Sequence, residues 1–552
     1  MNTTTNTGWR PRLVLAIALG FWCLAPQLVA AQTPVATWQW ATRATSTTAP
    51  DDYSKGRFIR VDGAGNTFSA GDFHGTLTVG GTSLASPGDY DGFLAKYTPA
   101  GAVAWVRHLN GSSAETIVYG MAVDNSGNSY VAGYYDGTLV IGGATLTGGG
   151  GFLAKYNPQG TVLWARGAGS GFNGLACNAA GELVAMGNFS GTQVFGSTTL
   201  TSTGFGSSFL VKYDAQGTPL WARQMEGLSN DEGMVSLDAA GNAYIAADFD
   251  GSATFGPITL AGSADGDDVF VAKYSAAGVP QWAVRQPVAS GPGREHAWGL
   301  ATDAAGNAYL TGSSEPPTSP TERWFVTQYT PQGTVGWNHL SSIVPAQTNG
   351  LLDIATDATG NVCVAGVVAG NLSIGGLSLA SAGSADANVA LLSFTPQGAP
   401  RWALSAGTPT ATEGALGLAL DGLNNVYVTG ILEGNTSLGT LVLPQNSAAS
   451  EQFVAKVSIS TPSGTASSRA IEPLLVYPNP ASGNAVQVRW SGLTQAPGQL
   501  LVHDALGRCV LTYSLPAGRT DAVLPVHNLG RGLYTLHLQT ATATAIGRLV
   551  IE

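Results

Sequence analysis

The sequence predicts an all-β protein with two folded parts, and three observations lead to this prediction. A turn of the type Asp-x-x-Gly-Asn recurs seven times at a regular interval, flanked by short apolar runs. The repeat stops near residue 458, where a different pattern of short strands begins. Only 11% of the residues are charged, whereas 74 are glycine, a composition that favours strands and tight turns over amphipathic helices.

The recurring turn marks a β-hairpin in each of seven copies of a repeat about 60 residues long. Asp accepts hydrogen bonds from the backbone of its own turn, and Gly adopts the left-handed conformation that the turn needs. Alternating apolar runs on both sides of the turn predict the first and second strands. The turns begin, in repeats 1 to 7, at Asp62, Asp124, Asn178, Asp238, Asp303, Asp357 and Asp421.

Two further strands complete each repeat. The third is an apolar run that usually begins with Phe, at 93–97, 152–156, 209–213, 270–274, 325–329, 390–394 and 453–457. The fourth follows a Gly-containing turn and carries a tryptophan in six repeats, at Trp105, Trp164, Trp221, Trp282, Trp337 and Trp402. Repeat 7 lacks this strand, and residues 37–41 near the N-terminus match the missing piece.

Seven four-stranded units, the last completed by an N-terminal strand, predict a seven-bladed β-propeller over residues 32–457. A large aromatic residue that recurs once per repeat fills a repeated packing position, so we expect the tryptophans to lie between neighbouring repeats. The pattern Asp-x-x-Gly-Asn-x-Tyr-x-x-Gly followed by Phe-Leu-x-Lys-Tyr resembles the bacterial β-propeller repeat family abbreviated SBBP. That resemblance implies an extracytoplasmic location and specifies no activity.

The C-terminal part is predicted to be a separate domain. Residues 458–473 are rich in small polar residues and predict a linker, and 474–552 contain short strands that predict a small antiparallel β-sandwich. Four landmarks in order, at 476–480, 502–508, 529–536 and 548–552, resemble the type A sorting domain of the type IX secretion system. The resemblance implies that 474–552 bind the type IX secretion machinery of a Bacteroidota-type cell. The alternative is an accessory sandwich with a ligand of its own.

Residues 1–31 predict a signal peptide, because two arginines precede an apolar run at 13–25 and small residues precede Gln32. The run is too short to span a bilayer, so we expect no transmembrane segment in the mature chain. With the sorting resemblance, this predicts a protein that is secreted or held at the outer surface of a Gram-negative bacterium. The net charge of −11 and the absence of a basic cluster argue against nucleic-acid binding. Cys177, Cys363 and Cys509 are too far apart to indicate a disulfide framework.

The first candidate site is a set of acidic residues at the entrance to the first strands, six to ten residues before the turn Asp. Equivalent positions in a ring converge on one face, where carboxylates would hold Ca²⁺ or a cationic group. The alternative is that each carboxylate accepts backbone N–H bonds and ties one repeat to the next. No other cofactor is predicted. The acidic residues are Asp52, Glu115, Asp231, Glu232, Glu295 and Glu413, with Asn173 and Asn349 in repeats 3 and 6.

The second candidate site is in repeat 5, where a proline-rich stretch at 313–324 replaces the usual pattern. Irregular loops on a rigid scaffold often carry binding specificity, so Trp298 and Trp324 are candidates for a surface that stacks on a sugar or a peptide. The alternative is a shortened strand with Trp324 packed beneath it.

These features predict a binding, adhesion or scaffold protein that uses one propeller face as the platform for an unknown extracellular ligand, either a glycan or a protein. Two alternatives stay open. The chain would be an extracellular enzyme that cleaves polysaccharide or peptide, with Glu232, Glu295 or Glu413 as acid and base, or a purely structural surface component. No linear catalytic motif and no metal-ligand spacing of histidines supports the enzyme.

Overall fold

The described residues of this computed structural model form β-strands and contain no α-helix. The model describes residues 34–46, 53–87, 89–111, 115–202, 207–229, 233–263, 266–287, 294–315, 321–342, 344–345, 350–383, 387–409, 411–445, 450–460, 474–490, 498–504, 508–540 and 544–552. The predicted signal peptide, most of the predicted linker, and Asp52, Asp231, Glu232 and Asn349 lie outside these ranges. Within them, no helix is long and apolar enough to cross a membrane.

Each repeat contains four antiparallel strands that pair in chain order. The first strands are Tyr53–Val61, Thr116–Val123, Phe172–Cys177, Met234–Leu237, Arg294–Thr302, Gly350–Thr356 and Glu413–Leu420. The second strands are Thr67–His74, Ser129–Tyr135, Leu183–Phe189, Ala243–Phe255, Ala308–Glu315, Val362–Val368 and Asn425–Leu432. The third strands are Asp91–Tyr97, Gly150–Tyr156, Ser207–Tyr213, Asp268–Tyr274, Thr321–Tyr329, Asn388–Phe394 and Glu451–Ser460. The fourth strands are Val103–Gly111, Val162–Ala168, Pro219–Leu228, Pro280–Arg285, Val335–Leu340, Pro400–Ala406 and, for repeat 7, Val35–Arg43.

A short outer hairpin follows the second strand in most repeats. The hairpins are Thr76–Val79 with Thr82–Ala85, Thr138–Ile141 with Ala144–Thr147, Thr192–Phe195 with Thr198–Thr201, Asn371–Ile374 with Leu377–Ala380, and Thr436–Leu438 with Leu441–Leu443. In repeat 4 the long second strand itself pairs with Ile258–Ala261. Repeat 5 differs, since the start of its third strand pairs with Val344–Pro345.

The N-terminal strand completes repeat 7, as predicted. Val35–Arg43 pairs with the third strand Glu451–Ser460, and the following Thr45–Ser46 pairs with the outer hairpin of repeat 1. The fourth strand of repeat 1 pairs in the same way with the outer hairpin of repeat 2. Val35 pairs with Ser460, so this strand pairing continues three residues beyond residue 457.

The tryptophans of the fourth strands link each repeat to the next, as expected. Trp105 Nε1 donates to the Pro158 carbonyl at 3.1 Å, so the contact reaches from repeat 1 into the turn before the fourth strand of repeat 2. Trp221, Trp282 and Trp337 donate to the equivalent turns of the repeats that follow them. Trp40 of the N-terminal strand makes the same contact to Pro99 of repeat 1 at 3.1 Å. The chain end in repeat 7 therefore contacts repeat 1 as repeats 1, 3, 4 and 5 contact the repeats that follow them.

The predicted turns form around the Asp carboxylate. Asp124 Oδ1 accepts the N–H groups of Ser126 and Asn128, while Oδ2 accepts Asn128 Nδ2 at 2.7 Å and the Tyr130 hydroxyl at 3.1 Å. Burial raises the pKa of the Tyr130 hydroxyl, which keeps it protonated as a donor. Each buried turn therefore satisfies its own backbone without help from a ligand.

The C-terminal domain contains two packed sheets, as predicted. One holds Leu475–Tyr477, Ala485–Arg489 and Asp521–Pro525, and the other holds Gly498–His503, Cys509–Leu515, Gly532–Thr540 and Thr544–Ile551. Val486, Leu500, Leu524 and Leu536 are buried between them. The three cysteines among the described residues are free, in agreement with the absence of a disulfide framework.

Candidate functional site

In six repeats, all except repeat 4, the first strand carries a β-bulge that turns one side chain out of the regular pairing. In repeat 2 the bulge is at Tyr119, between Val118 and Gly120, and it lies opposite Gly133 of the second strand. A Cβ atom on Gly133 would lie 2.0 Å from the Ile117 carbonyl oxygen, so only glycine permits this close approach. Bulges of this kind redirect a side chain at functional sites.

These redirected side chains line a cavity of about 260 Å³ to which the first strands of all seven repeats contribute. The first strands of neighbouring repeats contact one another, including those of repeats 7 and 1. We call the residue five places before each turn residue the bulge position. In repeats 1 to 7 the bulge positions are Arg57, Tyr119, Asn173, Gly233, Trp298, Leu352 and Leu416.

The polar bulge positions are held by neighbours outside the cavity. Arg57 pairs with the buried carboxylate of Asp72, which also accepts the Tyr53 hydroxyl at 3.3 Å. Trp298 Nε1 donates to Ser313 Oγ at 3.2 Å, and this bond fixes the indole ring at the cavity wall. These contacts hold the Arg57 and Trp298 side chains in place before any ligand binds.

Asn173 shows a further feature of a binding site. Its Oδ1 atom is buried without a hydrogen-bond partner, and a Cβ atom on Gly233 would lie 2.8 Å from it. Unsatisfied buried polar atoms are rare in native proteins and each calls for an explanation.

Deeper along the same strands, the cavity wall contains one arginine and one aspartate. Arg60 Nη1 donates to the Ile59 carbonyl at 2.7 Å, and no ion pair ties its guanidinium to a carboxylate among the described residues. Both oxygens of Asp353 accept backbone N–H groups, from Ile354 and Leu418, each at 2.8 Å. Burial raises the pKa of Asp353, and the charge of Arg60 and the two backbone hydrogen bonds oppose this shift.

Of the described members of the predicted set, Asn173 lines this cavity, whereas Glu115, Glu295 and Glu413 do not. Glu413 is fully buried, and its carboxylate accepts Asn388 Nδ2 at 2.9 Å, Thr408 Oγ1 at 3.0 Å and Thr436 Oγ1 at 3.0 Å. Because these donors belong to repeats 6 and 7, Glu413 ties two repeats together, which is the alternative considered for this set.

Glu295 lies at the equivalent place in repeat 5 but has other surroundings. Only 2% of the residue is exposed, and its Oε2 atom has no partner. Burial raises the pKa of Glu295 to about 7. Neither Glu295 nor Glu413 lines the cavity, so burial separates both from a substrate and weakens the predicted acid and base roles.

The remaining acidic candidates are dispersed. Glu115 is half-buried at a parallel bridge with Tyr90, and Asp231 and Glu232 lie outside the described residues. In the part of the chain that the structure describes, no three His, Cys, Asp or Glu side chains are close enough to share a metal ion. The predicted Ca²⁺ site stays a prediction.

A histidine–aspartate pair lies beside Glu295. His296 Nδ1 is 2.8 Å from Asp248 Oδ2, and the hydrogen bond to Asp248 raises the pKa of His296. The His296 and Trp298 ring centroids are 6.1 Å apart, so the pair supports the wall of the cavity from behind Trp298.

The prediction of a loop at 313–324 in repeat 5 is wrong at both ends of the segment, because these ends belong to β-strands. Ser313 pairs with Trp324 and Ser314 with Arg323, because without an outer hairpin the second and third strands extend toward each other. Trp324 is fully buried in the core between repeats 5 and 6, so it offers no surface for stacking, in line with the alternative of a packed tryptophan. Trp298 is the tryptophan of this pair that reaches the cavity.

Sequence reasoning named Asn173 and Trp298 but missed Arg57, Tyr119 and Arg60. A signal for the bulge positions is present in the aligned repeats. Five residues before the turn the side chains differ in size and charge from repeat to repeat, whereas two places further on they are all apolar. Variation within an otherwise regular repeat is typical of a binding surface on a constant scaffold.

Two family models match parts of the chain. Residues 475–552 match the secretion system C-terminal sorting domain, and residues 104–137 match the β-propeller repeat. The chain therefore contains a type IX sorting domain and at least one β-propeller repeat. The sorting domain marks the protein as one that is secreted or attached to the outer cell surface. No curated protein matches the sequence.

Solved structures show distant similarity only. A Dyadobacter fermentans protein of unknown function is 10% identical with a TM-score of 0.36, covering 77% of this chain and 99% of its own. The Synechocystis apocarotenoid oxygenase is 10% identical with a TM-score of 0.35, covering 90% and 97%. The calcium-binding protein regucalcin from Agrobacterium tumefaciens is 12% identical with a TM-score of 0.27, covering 58% and 86%.

Proposed function

We propose that this chain is an exported binding protein of a Bacteroidota-type bacterium, whose seven repeats close into a seven-bladed β-propeller around the ligand site. Residues 1–31 act as a cleaved signal peptide, and the sorting domain directs passage across the outer membrane. The contact of Trp40 with Pro99 and the pairing of Thr45–Ser46 with the hairpin of repeat 1 support ring closure.

The observation that carries the proposal is the cavity lined by the bulge positions. A structural role would require similar residues in every repeat, as the turn Asp and the tryptophans have. The bulge positions instead combine a charge, two aromatic rings, an amide and two leucines, which provide ionic, stacking and apolar contacts around one cavity. An adhesion or recognition function uses such a surface, whereas a purely structural component does not.

A binding experiment on the full chain tests this function. The purified protein is applied to a panel of glycans and extracellular peptides, first with Ca²⁺ and then with chelator, which also tests the predicted Ca²⁺ site. We expect selective binding that Trp298→Ala weakens at least about tenfold, since a central aromatic contact often contributes more than 1 kcal/mol.

The control is Tyr477→Ala, which removes a 39% exposed aromatic ring from the sorting domain and leaves the cavity unchanged. Equal loss of binding in both variants would indicate nonspecific adsorption. No selective binding on either panel would contradict the proposed function and favour a structural component.

A further inference from the structure

The charges of the cavity wall specify the kind of ligand that fits it. Arg57 is neutralised by Asp72, and Asp353 is engaged by two backbone N–H groups. Arg60 keeps a guanidinium group with five N–H donors, of which one is directed to a backbone carbonyl. Arg60 forms no ion pair among the described residues, although its charge is close enough to Asp353 to lower the pKa of that carboxyl group. Its remaining N–H donors can bind a ligand carboxylate, the group with which a guanidinium pairs best.

The rest of the wall favours a sugar ring as the carrier of that carboxylate. The indole N–H of Trp298 is already bonded to Ser313, so what the residue offers a ligand is mainly its ring face. Tyr119 and Asn173 add polar groups to the same cavity wall, and Leu352 and Leu416 add apolar surface. A pyranose ring has one apolar face and a rim of hydroxyl groups, which matches an aromatic face surrounded by polar groups.

The size of the cavity limits how much of the ligand enters it. At about 260 Å³ it lies just below the range of about 300–1,000 Å³ that is usual for drug-sized ligands. One sugar unit fits such a space and a folded partner does not. The rest of an oligosaccharide would remain at the open end.

We infer that the cavity binds one acidic sugar unit of an extracellular polysaccharide, with Trp298 against the ring and Arg60 on the carboxylate. This inference rests on the proposed function and specifies the ligand class of the same site. Arg57 is held by Asp72, so it is not the main ionic partner of the ligand.

Three probes of one linkage test the inference on the full chain: oligogalacturonate, its methyl ester and the neutral galactose oligomer. Calorimetry should show binding of the acid form that weakens about tenfold or more with the ester and with the neutral oligomer. The Arg60→Gln variant should bind the acid form as weakly as the wild type binds the ester. Loss of one bidentate ionic contact has an effect of about this size.

The control variant is Arg508→Gln, which removes one positive charge from the exposed surface of the sorting domain, where the Arg508 side chain is 73% exposed. It should leave the affinity unchanged, and thermal unfolding should show that Arg60→Gln remains folded. If an unfolded Arg60→Gln prevents comparison, weaker binding of the acid form at higher salt with unchanged ester binding supports the same contact.

The outcomes separate this inference from the proposed function. Equal binding of acid and ester overturns the acidic ligand but leaves a glycan-binding protein. Binding of carboxylate-bearing peptides without any oligosaccharide overturns the sugar and leaves a binding protein. Failure of every glycan and peptide overturns both.

Discussion

Repeats 5 and 7 have a glutamate at the same place, eight residues before the turn Asp, with opposite surroundings. In repeat 7, Glu413 is fully buried and accepts hydrogen bonds from three neighbouring residues. In repeat 5, Glu295 is almost as buried, but its Oε2 atom has no partner. Burial raises the pKa of both carboxyl groups, but side-chain donors offset the cost of burial only in repeat 7.

The difference in hydrogen bonding between the two glutamates matches the different positions of the two repeats in the structure. Repeat 7 joins the N-terminal strand to the last of the repeats, and both of its buried glutamates have partners, including Glu451 with Arg43 of the N-terminal strand. Repeat 5 supplies Trp298 to the cavity and holds Glu295 beside the His296–Asp248 pair. Stability is concentrated where the chain ends meet, and an unpaired buried group is tolerated next to the candidate site.

The largest effect should come from breaking the ion pair that joins the chain ends. Arg43 bonds Glu451 and the carbonyl groups of Leu432 and Gly434, and both charged side chains are at most 3% exposed. We expect Arg43→Met to lower the free energy of unfolding by about 3–5 kcal/mol, because it leaves the Glu451 charge buried without a cation. Urea unfolding of the full chain measures this loss.

The matched control is Arg285→Met in repeat 4, where the Arg285 side chain is 36% exposed and lies 3.4 Å from Asp268. Solvent screens this pair, so we expect a loss of about 1–2 kcal/mol. Equal losses in the two variants would show that the pair at the chain ends has no special role.

The next largest loss of stability should follow from removing the charge of Glu413 in repeat 7. Glu413→Gln keeps the side-chain volume but replaces one acceptor oxygen by an amide donor that faces Asn388, Thr408 or Thr436. We expect a loss of about 3 kcal/mol in urea unfolding at pH 8, because buried donors lose their acceptor. The variant Thr436→Val, which removes only one of the three donor residues, should lose less. If Glu413→Gln left the free energy of unfolding unchanged, the role of Glu413 in tying repeats together would be contradicted.

The sequence alone predicted the features that each repeat determines locally. The turn Asp, the third-strand runs and the tryptophans recur at fixed spacing, so the order of strands and the pairing of residues 37–41 with repeat 7 could be predicted. The β-bulge could not, because it depends on the approach of Gly133 to the neighbouring strand, and glycine occurs at many other positions of this chain.

The candidate site was harder to predict because the residues that contact its side chains are distant in sequence. Glu413 is held by residues up to 25 positions away, and no local pattern distinguishes it from Glu295. Trp324 and Trp298 flank the same atypical segment, but one is buried in the repeat and the other lines the cavity. Which face a side chain takes depends on the strand register, which the proline-rich segment at 313–324 concealed.

The smallest effect should be a gain in stability when the charge of Glu295 in repeat 5 is removed. The pKa of Glu295 is about 7 in the folded chain against an ordinary value of 4.5, so the folded state binds the proton more tightly. The stability that protonation contributes is fully present below about pH 4.5 and is lost as the pH rises through about 7. The loss above pH 7 corresponds to about 3 kcal/mol.

Glu295→Gln mimics the protonated form and should therefore leave the stability at pH 5 unchanged and raise it at pH 8. The net gain should be about 2 kcal/mol, because the amide is a weaker acceptor for the Val269 N–H that the carboxylate accepts. Urea unfolding of both proteins at the two pH values measures it. Glu413→Gln is expected to lower stability at pH 8. The same substitution should therefore change stability in opposite directions at the equivalent positions Glu295 and Glu413. Losses of equal size in both variants would mean that Glu295 is paired as Glu413 is, and the contrast between the two repeats would disappear.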